Sequence, residues 1–283
     1  MKKKYIVLLL SLLAIIQACD KIEEPYIKEG NIIWNGRKII IYDFTGHKCG
    51  NCPRAHEKID QLINLYGDAI VPIAIHATFF AKPATSDTSL PYHYNFRTDI
   101  GDFLGGTQTE VGFYGELALP VGLVNNLKPE SLKVHDAWGT DVAKYISSFP
   151  EFLIEIESNY NQGDSTISAE IEIKTNLNNT RKTSLIVFVL EDHIVNWQTD
   201  YQQSPKYLEN YEHNHVLRAG MNGAFGEVIK NTNEAVVTGQ NWTKNYEIKA
   251  NVDWEIDNCI VVAFIYDSDT HEVLQAEIKH LSE

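Results

Sequence analysis

The sequence is short of positive charge: 24 lysines and arginines stand against 38 aspartates and glutamates, for a formal charge of −14. Removing residues 1–18, which carry Lys2, Lys3 and Lys4 and no acid, lowers this by three to −17. Such a surface repels phosphate backbones, so a nucleic-acid partner is not expected. A Gly-Lys-Ser/Thr phosphate loop and a dinucleotide fingerprint are both missing, so no nucleotide cofactor is expected either. Long apolar runs are also missing. The run from Ile6 to Ile16, broken only by Ser11, has eleven residues, too few for a helix across a hydrocarbon core, and no later segment reaches that length. Cysteine is scarce: Cys19, Cys49, Cys52 and Cys259 are the four. What remains is 44% hydrophobic and 22% charged, the balance of an ordinary globular protein. A length of 283 residues argues for two domains.

The three N-terminal lysines and the apolar run that follows read as a secretory signal peptide over residues 1–18. The run ends Ile16-Gln17-Ala18-Cys19, which resembles the lipobox of bacterial lipoproteins, with a small residue before the cysteine and Gln17 less usual. The resemblance implies cleavage before Cys19, which would then carry lipid, palmitate included, on its sulfur and amino group. Several acyl chains give stable anchoring where one would be marginal, so the membrane is an expected partner through Cys19. An ordinary signal peptide with Cys19 as a free thiol is the alternative. Residues 19–36, with Glu23, Glu24, Pro25 and Gly30, read as a tether. Asp20 after the lipid cysteine would, by a rule known for some Gram-negative lipoproteins, imply the inner membrane.

An exported chain lives where disulfides persist. Cys259 sits in the apolar run Ile260–Ile265 and is expected to pack as a small hydrophobe, which leaves Cys49-Gly50-Asn51-Cys52 for a bridge. Context gives this C-x-x-C its meaning. The β-branched run Lys38–Phe44 before it suits a buried parallel strand. After it, Ala55, Ile59, Leu62, Ile63 and Tyr66 recur on one helical face, stopped at Gly67. A second strand follows over Ala69–Ile75, making a βαβ unit with the cysteines at the start of the helix.

These residues resemble the thioredoxin superfamily. Asp43 stands six residues before Cys49, at the spacing of that family's buried acid, and Leu119-Pro120-Val121-Gly122-Leu123-Val124-Asn125 resembles its cis-proline loop and following strand. A short strand at Ser131–Val134 and a helix from about Thr140 to Phe149 would complete the domain. Lys48 stands where the family has tryptophan, and Asn51-Cys52-Pro53 departs from its usual motif. The stretch 77–117 is too long for one connection and is expected to add helices or a lid beside the site. A narrower resemblance rests on Phe44–Pro53, on Ala74-Ile75-His76-Ala77 and on His213-Asn214-His215-Val216-Leu217-Arg218. These look like the 28-kDa outer-membrane protein family of Gram-negative lipoproteins. That family implies an outer-membrane address, periplasmic or surface-facing, which outweighs the Asp20 argument. It also implies a thioredoxin-like domain with a trailing β domain, and receptor or adhesin roles have been suggested for it.

After Pro150 the pattern changes. Ile167, Ala169, Ile171 and Ile173 alternate with polar residues, the mark of a half-buried strand. Further strands are expected at 151–158, 184–191, 242–250, 259–267 and 272–280. The expected fold class is therefore an α/β thioredoxin-like domain over 37–150 followed by an all-β, immunoglobulin-like sandwich over 151–283. Between the strands, the polar stretch Asn196–Tyr211 carries Trp197, Tyr201, Tyr207 and Tyr211, which either recognise a ligand or pack on the sandwich.

Cys49 is expected to be the attacking thiol, activated by the helix start, by Lys48 and by His47. Cys52 would resolve the mixed disulfide, and the resemblance places Asp43 beneath the pair as a general base. The resemblance likewise makes Pro120 the residue that sets a backbone edge beside the disulfide. Three classes of function stand: thiol–disulfide exchange on exported proteins, a surface binding protein or adhesin in which the bridge is only structural, and a metal carrier using His47, Cys49, Cys52 and His56. His213 and His215 would share a face if their segment is a strand, an incomplete metal site, and His76 has no assigned role. No cofactor and no resident metal are expected.

Overall fold

The computed structural model describes residues 36–231 and 235–281. The expected signal peptide, Cys19 and the expected tether as far as residue 35 lie outside the described residues. Strand β1 (Ile39–Thr45) is buried along its whole length, because its two faces meet two different cores. Ile39 and Ile41 face helix α1 (Pro53–Tyr66), while Ile40, Tyr42 and Phe44 face the opposite way, as the two-residue period of a strand requires. Pro53 opens α1 directly after Cys52, the N-cap residue; a proline costs no hydrogen bond there, since the first N–H groups of a helix have no partner. Ala55, Ile59 and Leu62 of α1 pack with Trp138 and Val142 of helix α4 (Trp138–Tyr145).

Strand β2 (Ile70–His76) runs parallel to β1, from Ile39 opposite Ile70 to Thr45 opposite His76. The long connection that follows holds helices α2 (Thr78–Ala81) and α3 (Asp99–Gly105). Strand β3 (Val121–Val124) then returns antiparallel to β1, directly after the cis Leu119–Pro120 peptide. The strand expected at Ser131–Val134 reduces to one bridge between Gly122 and Lys133, because Pro129 opens a 3-10 turn over Pro129–Ser131.

The remaining strands are β4 (Phe152–Asn161), β5 (Thr166–Thr175), β6 (Thr183–Glu191), β7 (Ile194–Thr199), β8 (Tyr207–His213), β9 (Val216–Gly220), β10 (Glu227–Lys230), β11 (Asn241–Lys249), β12 (Cys259–Asp267) and β13 (Val273–His280). No α-helix interrupts them among the described residues. They do not build a core of their own. The large sheet runs β13-β12-β6-β9-β2-β1-β3, so it takes strands from both sides of Pro150. Its ends curl toward each other: Val273 N–H donates to Asn125 O at 3.0 Å, and Leu127 N–H donates to His271 O at 2.9 Å. Inside the curl, the Tyr42 ring lies 6.4 Å from Phe188 and 6.2 Å from Phe264.

The independent sandwich expected over 151–283 is corrected on this point. Strands β6 and β12 are buried along their whole length, and therefore need cover on both faces. One face, through Ile186, Phe188, Val262 and Phe264, packs on the first half. The other, through Val187, Val189, Val261 and Ala263, packs on the inner residues of a three-stranded sheet, β11-β5-β4. Strands β7 and β8 pair only with each other. This hairpin, read from the sequence as a polar aromatic stretch, decides the environment of the cysteines.

Candidate functional site

Cys49 and Cys52 are joined as a disulfide with Cα atoms 5.4 Å apart, at the mouth of α1. Their turn is clasped from two sides. On one side Lys48 N–H donates to Phe80 O at 3.1 Å, and a Cβ on Gly46 would stand 2.7 Å from the Phe80 carbonyl carbon, so only glycine fits. On the other side lies the β7–β8 hairpin. Thr199 N–H donates to His47 O at 2.9 Å and Tyr201 N–H donates to Gly50 O at 2.9 Å. Gln198 Nε2 donates to Cys49 O at 2.9 Å, and Arg54 pairs with Asp200 at 2.7 Å. The Tyr201 ring comes so close that a Cβ on Gly50 would stand 2.5 Å from it. Under this cover Cys49 is 3% exposed and Cys52 0%.

Asp43 is fully buried on β1, and neither carboxylate oxygen accepts a hydrogen bond. The nearest cation-capable group is the imidazole of His56, whose Nε2 lies 3.3 Å from Asp43 Oδ2 and 3.0 Å from Thr45 Oγ1. The other ring nitrogen, Nδ1, lies 2.6 Å from the Tyr211 hydroxyl. Burial, reinforced by the Asp43 carboxylate, raises the pKa of that phenol. The phenol therefore stays protonated near pH 7, and it holds the ring through Nδ1 while Nε2 faces Thr45 and Asp43. His56 sits one turn after Cys52, its N–H donating to Cys52 O at 3.3 Å.

A cavity of about 70 Å³ opens beside these groups, lined by Asp43, His56, Asp60, His76, Tyr211 and His213 among others. His76 stacks on Phe96 at 4.4 Å, with planes 14° apart, and its centroid lies 5.6 Å from that of His213. The ring nitrogens of both lack partners, and burial pushes both pKa values well below the usual imidazole range.

The structure thus brings Cys49, Cys52, Asp43 and His56 to one region, with the cis Pro120 leading into β3, the neighbour of β1. It does not use His47 as expected. Burial pushes that imidazole down to about 4, so it is neutral near pH 7 and adds no positive potential. The Lys48 ammonium lies over the Phe79 ring at 5.2 Å, and burial lowers its pKa. His213 and His215 do not share a strand face: β8 ends at His213, and His215, with φ of 57°, pairs through Nδ1 with Asp192 at 3.2 Å. Among the described residues no group of three His, Cys, Asp or Glu side chains is placed to hold a metal ion. Cys259 is a buried free thiol in the core between the sheets. The hairpin cover and the His56–Asp43–Tyr211 contacts were missed by sequence reasoning. The available signals were a histidine four residues after Cys52 and the run of aromatics in 196–211.

A family model described as Outer membrane protein Omp28 matches residues 109–283. The match includes Pro120, the hairpin and the cavity wall at Tyr211, and leaves Cys49 and Cys52 outside. Among solved structures, HBP35 of Porphyromonas gingivalis is similar with a TM-score of 0.60 and 15% identity, over 88% of this chain and 76% of that one; at that identity the likeness is one of fold. A domain of the outer membrane lipoprotein Omp28 from Porphyromonas gingivalis aligns at 20% identity with a TM-score of 0.30, over 46% of this chain and 88% of that one. No curated protein matches the chain.

Proposed function

Because this chain belongs to the Outer membrane protein Omp28 family, and so to the cell envelope at the outer membrane, we propose that it is a lipoprotein anchored through Cys19 whose Cys49–Cys52 pair exchanges disulfides with exported proteins. The observation that carries this reading is the closed disulfide at the mouth of α1, on a β1-α1-β2 unit with Asp43 buried in β1. The parallel β1–β2 pair, the cis proline before β3 and helix α4 support a thioredoxin-like reading of residues 37–150. The packing of β11-β5-β4 on β6 and β12 supports an immunoglobulin-like layering for 151–283, built onto the first sheet. No helix among the described residues is long and apolar enough to cross a membrane, so Cys19 is the proposed attachment.

In the proposed reaction a thiolate of an exported dithiol attacks Cys49 Sγ. The Cys49–Cys52 bond breaks, Cys52 leaves as a thiolate with the electron pair, and a mixed disulfide joins Cys49 to the substrate. The substrate's second thiolate then displaces Cys49. The substrate is oxidised to a disulfide, the protein pair is reduced, and the two substrate protons end on Cys49 and Cys52. Asp43 is the proposed proton station for Cys52. Since Cys49 is covered, attack requires the tip of the β7–β8 hairpin to lift.

That cover also favours a second reading, in which the bridge only fixes the helix start of a binding protein. Trapping separates the two. Reduced Cys52→Ser protein mixed with a disulfide-bonded peptide should accumulate an adduct on Cys49, and Cys49→Ser should give none. Equal failure of both variants to form an adduct would leave the bridge structural.

A further inference from the structure

Resting on the exchange reading, we propose that His56 is a positioning residue that passes protons between the buried Asp43 and solvent in the adjoining cavity. Asp43 is fully buried with no hydrogen bond to its carboxylate, and it shares the lining of the cavity with His56, so a carboxyl that must take and return a proton at each turnover needs a carrier at that wall. His56 offers one. Its Nε2 is 3.3 Å from the carboxylate, and its side chain, partly exposed, lines the cavity. At about 70 Å³ the cavity exceeds the roughly 10–15 Å³ a single water needs.

An imidazole suits this task because it accepts at one nitrogen while it donates at the other. The Tyr211 phenol, held protonated, orders the ring so that Nε2 faces Thr45 Oγ1 at 3.0 Å and Asp43 Oδ2 at 3.3 Å. To protonate the departing Cys52 thiolate, a proton on Nε2 passes to the Asp43 carboxylate, which hands it on to Cys52. Nδ1 takes the replacement from the Tyr211 hydroxyl, which is itself reloaded from the cavity, so no net charge stays in the interior. In the reverse direction each proton retraces its step. The titratable groups facing His56 are Asp43 on β1, Asp60 on its own helix, His76 on β2, and Tyr211, Glu212 and His213 on β8, with His215 beyond them. Because burial holds His76 and His213 neutral, these two imidazoles do not compete as cations.

The test follows reduction of the Cys49–Cys52 disulfide by dithiothreitol in single turnover from pH 5 to 9, in the wild type, His56→Gln and His56→Gly. Circular dichroism monitors the fold, and Gln keeps an N–H toward Asp43 should Gly unfold the chain. The wild type should react in a pH-dependent manner. His56→Gln should react about a hundredfold more slowly at pH 7, the lower end of what a positioned proton carrier contributes, and with a changed pH profile. Added imidazole should restore the rate of His56→Gly, which a merely structural role would not allow. If the wild type reacts but the folded variants keep its rate and profile without imidazole rescue, the assignment of His56 is overturned. If the wild type itself does not react, the exchange reading fails before His56 is tested.

Discussion

Replacing Asp200 by alanine should open the cover over the disulfide. Asp200 is the acidic end of the pair that ties the hairpin tip to α1; its side chain is 4% exposed, that of Arg54 17%, and the two meet at 2.7 Å. The same carboxylate accepts the Gln202 N–H at 2.9 Å, so the substitution also loosens the turn. A hydrogen bond to a charged group contributes about 1.5–3 kcal/mol. Arg54 keeps Glu57 at 3.1 Å as a second partner, which argues for the lower part of that range, about 2 kcal/mol. If attack on Cys49 occurs only from the lifted state, the open population and the rate of reduction rise together. At 1.4 kcal/mol per factor of ten, the gain is about 30-fold. The assay is the pseudo-first-order reduction rate in excess dithiothreitol at pH 8, read as the mass shift after alkylation. A rate within twofold of wild type, in a variant that remains folded, would refute the hairpin as the barrier.

Three further outcomes follow from burial. Acidification should destabilise the fold: His47 is neutral when folded, with its pKa held down to about 4, while the unfolded imidazole takes a proton below about 6.5. The stabilisation is therefore complete above that value and declines as pH falls toward 4, by about 3 kcal/mol from His47 alone; His76 and His213 act in the same direction. Urea midpoints at pH 7 and pH 4.5 check this, and equal midpoints would contradict it. Cys259 should resist iodoacetamide at pH 8 in the native protein and react once unfolded, because burial, reinforced by the Glu191 carboxylate, pushes its thiol up to about 12. Residues 151–283 alone should fail to give dispersed proton NMR signals, since one face of β6 and β12 would lose the cover of Tyr42 and its neighbours.

The sequence shows clearly those parts of the fold that repeat over several residues. The alternation in 167–173 yields β5, and the helical spacing of Ala55, Ile59 and Leu62 yields α1, because each pattern is set by one buried face. The all-apolar runs of β6 and β12 announce burial on both sides without saying which element covers each face, so the sharing of one sheet across Pro150 was not legible. The Cys49–Cys52 bridge was legible in the C-x-x-C spacing, and the burial of Asp43 and the cis bond before Pro120 agree with what the thioredoxin resemblance implied. The cover was not legible, because the contacts of Thr199 and Tyr201 with the turn use backbone groups, which every residue possesses. The bond between His56 and Tyr211 joins positions whose proximity depends on the hairpin folding over α1.

The reduction potential of the Cys49–Cys52 pair, from equilibration with defined dithiol buffers at pH 7, tests the exchange reading most directly. Catalytic pairs lie from about −270 mV upward, whereas structural bridges of secreted proteins lie below about −300 mV. The proposed function requires a value in the catalytic range. A value well below −300 mV would contradict it and leave the disulfide as a structural bridge.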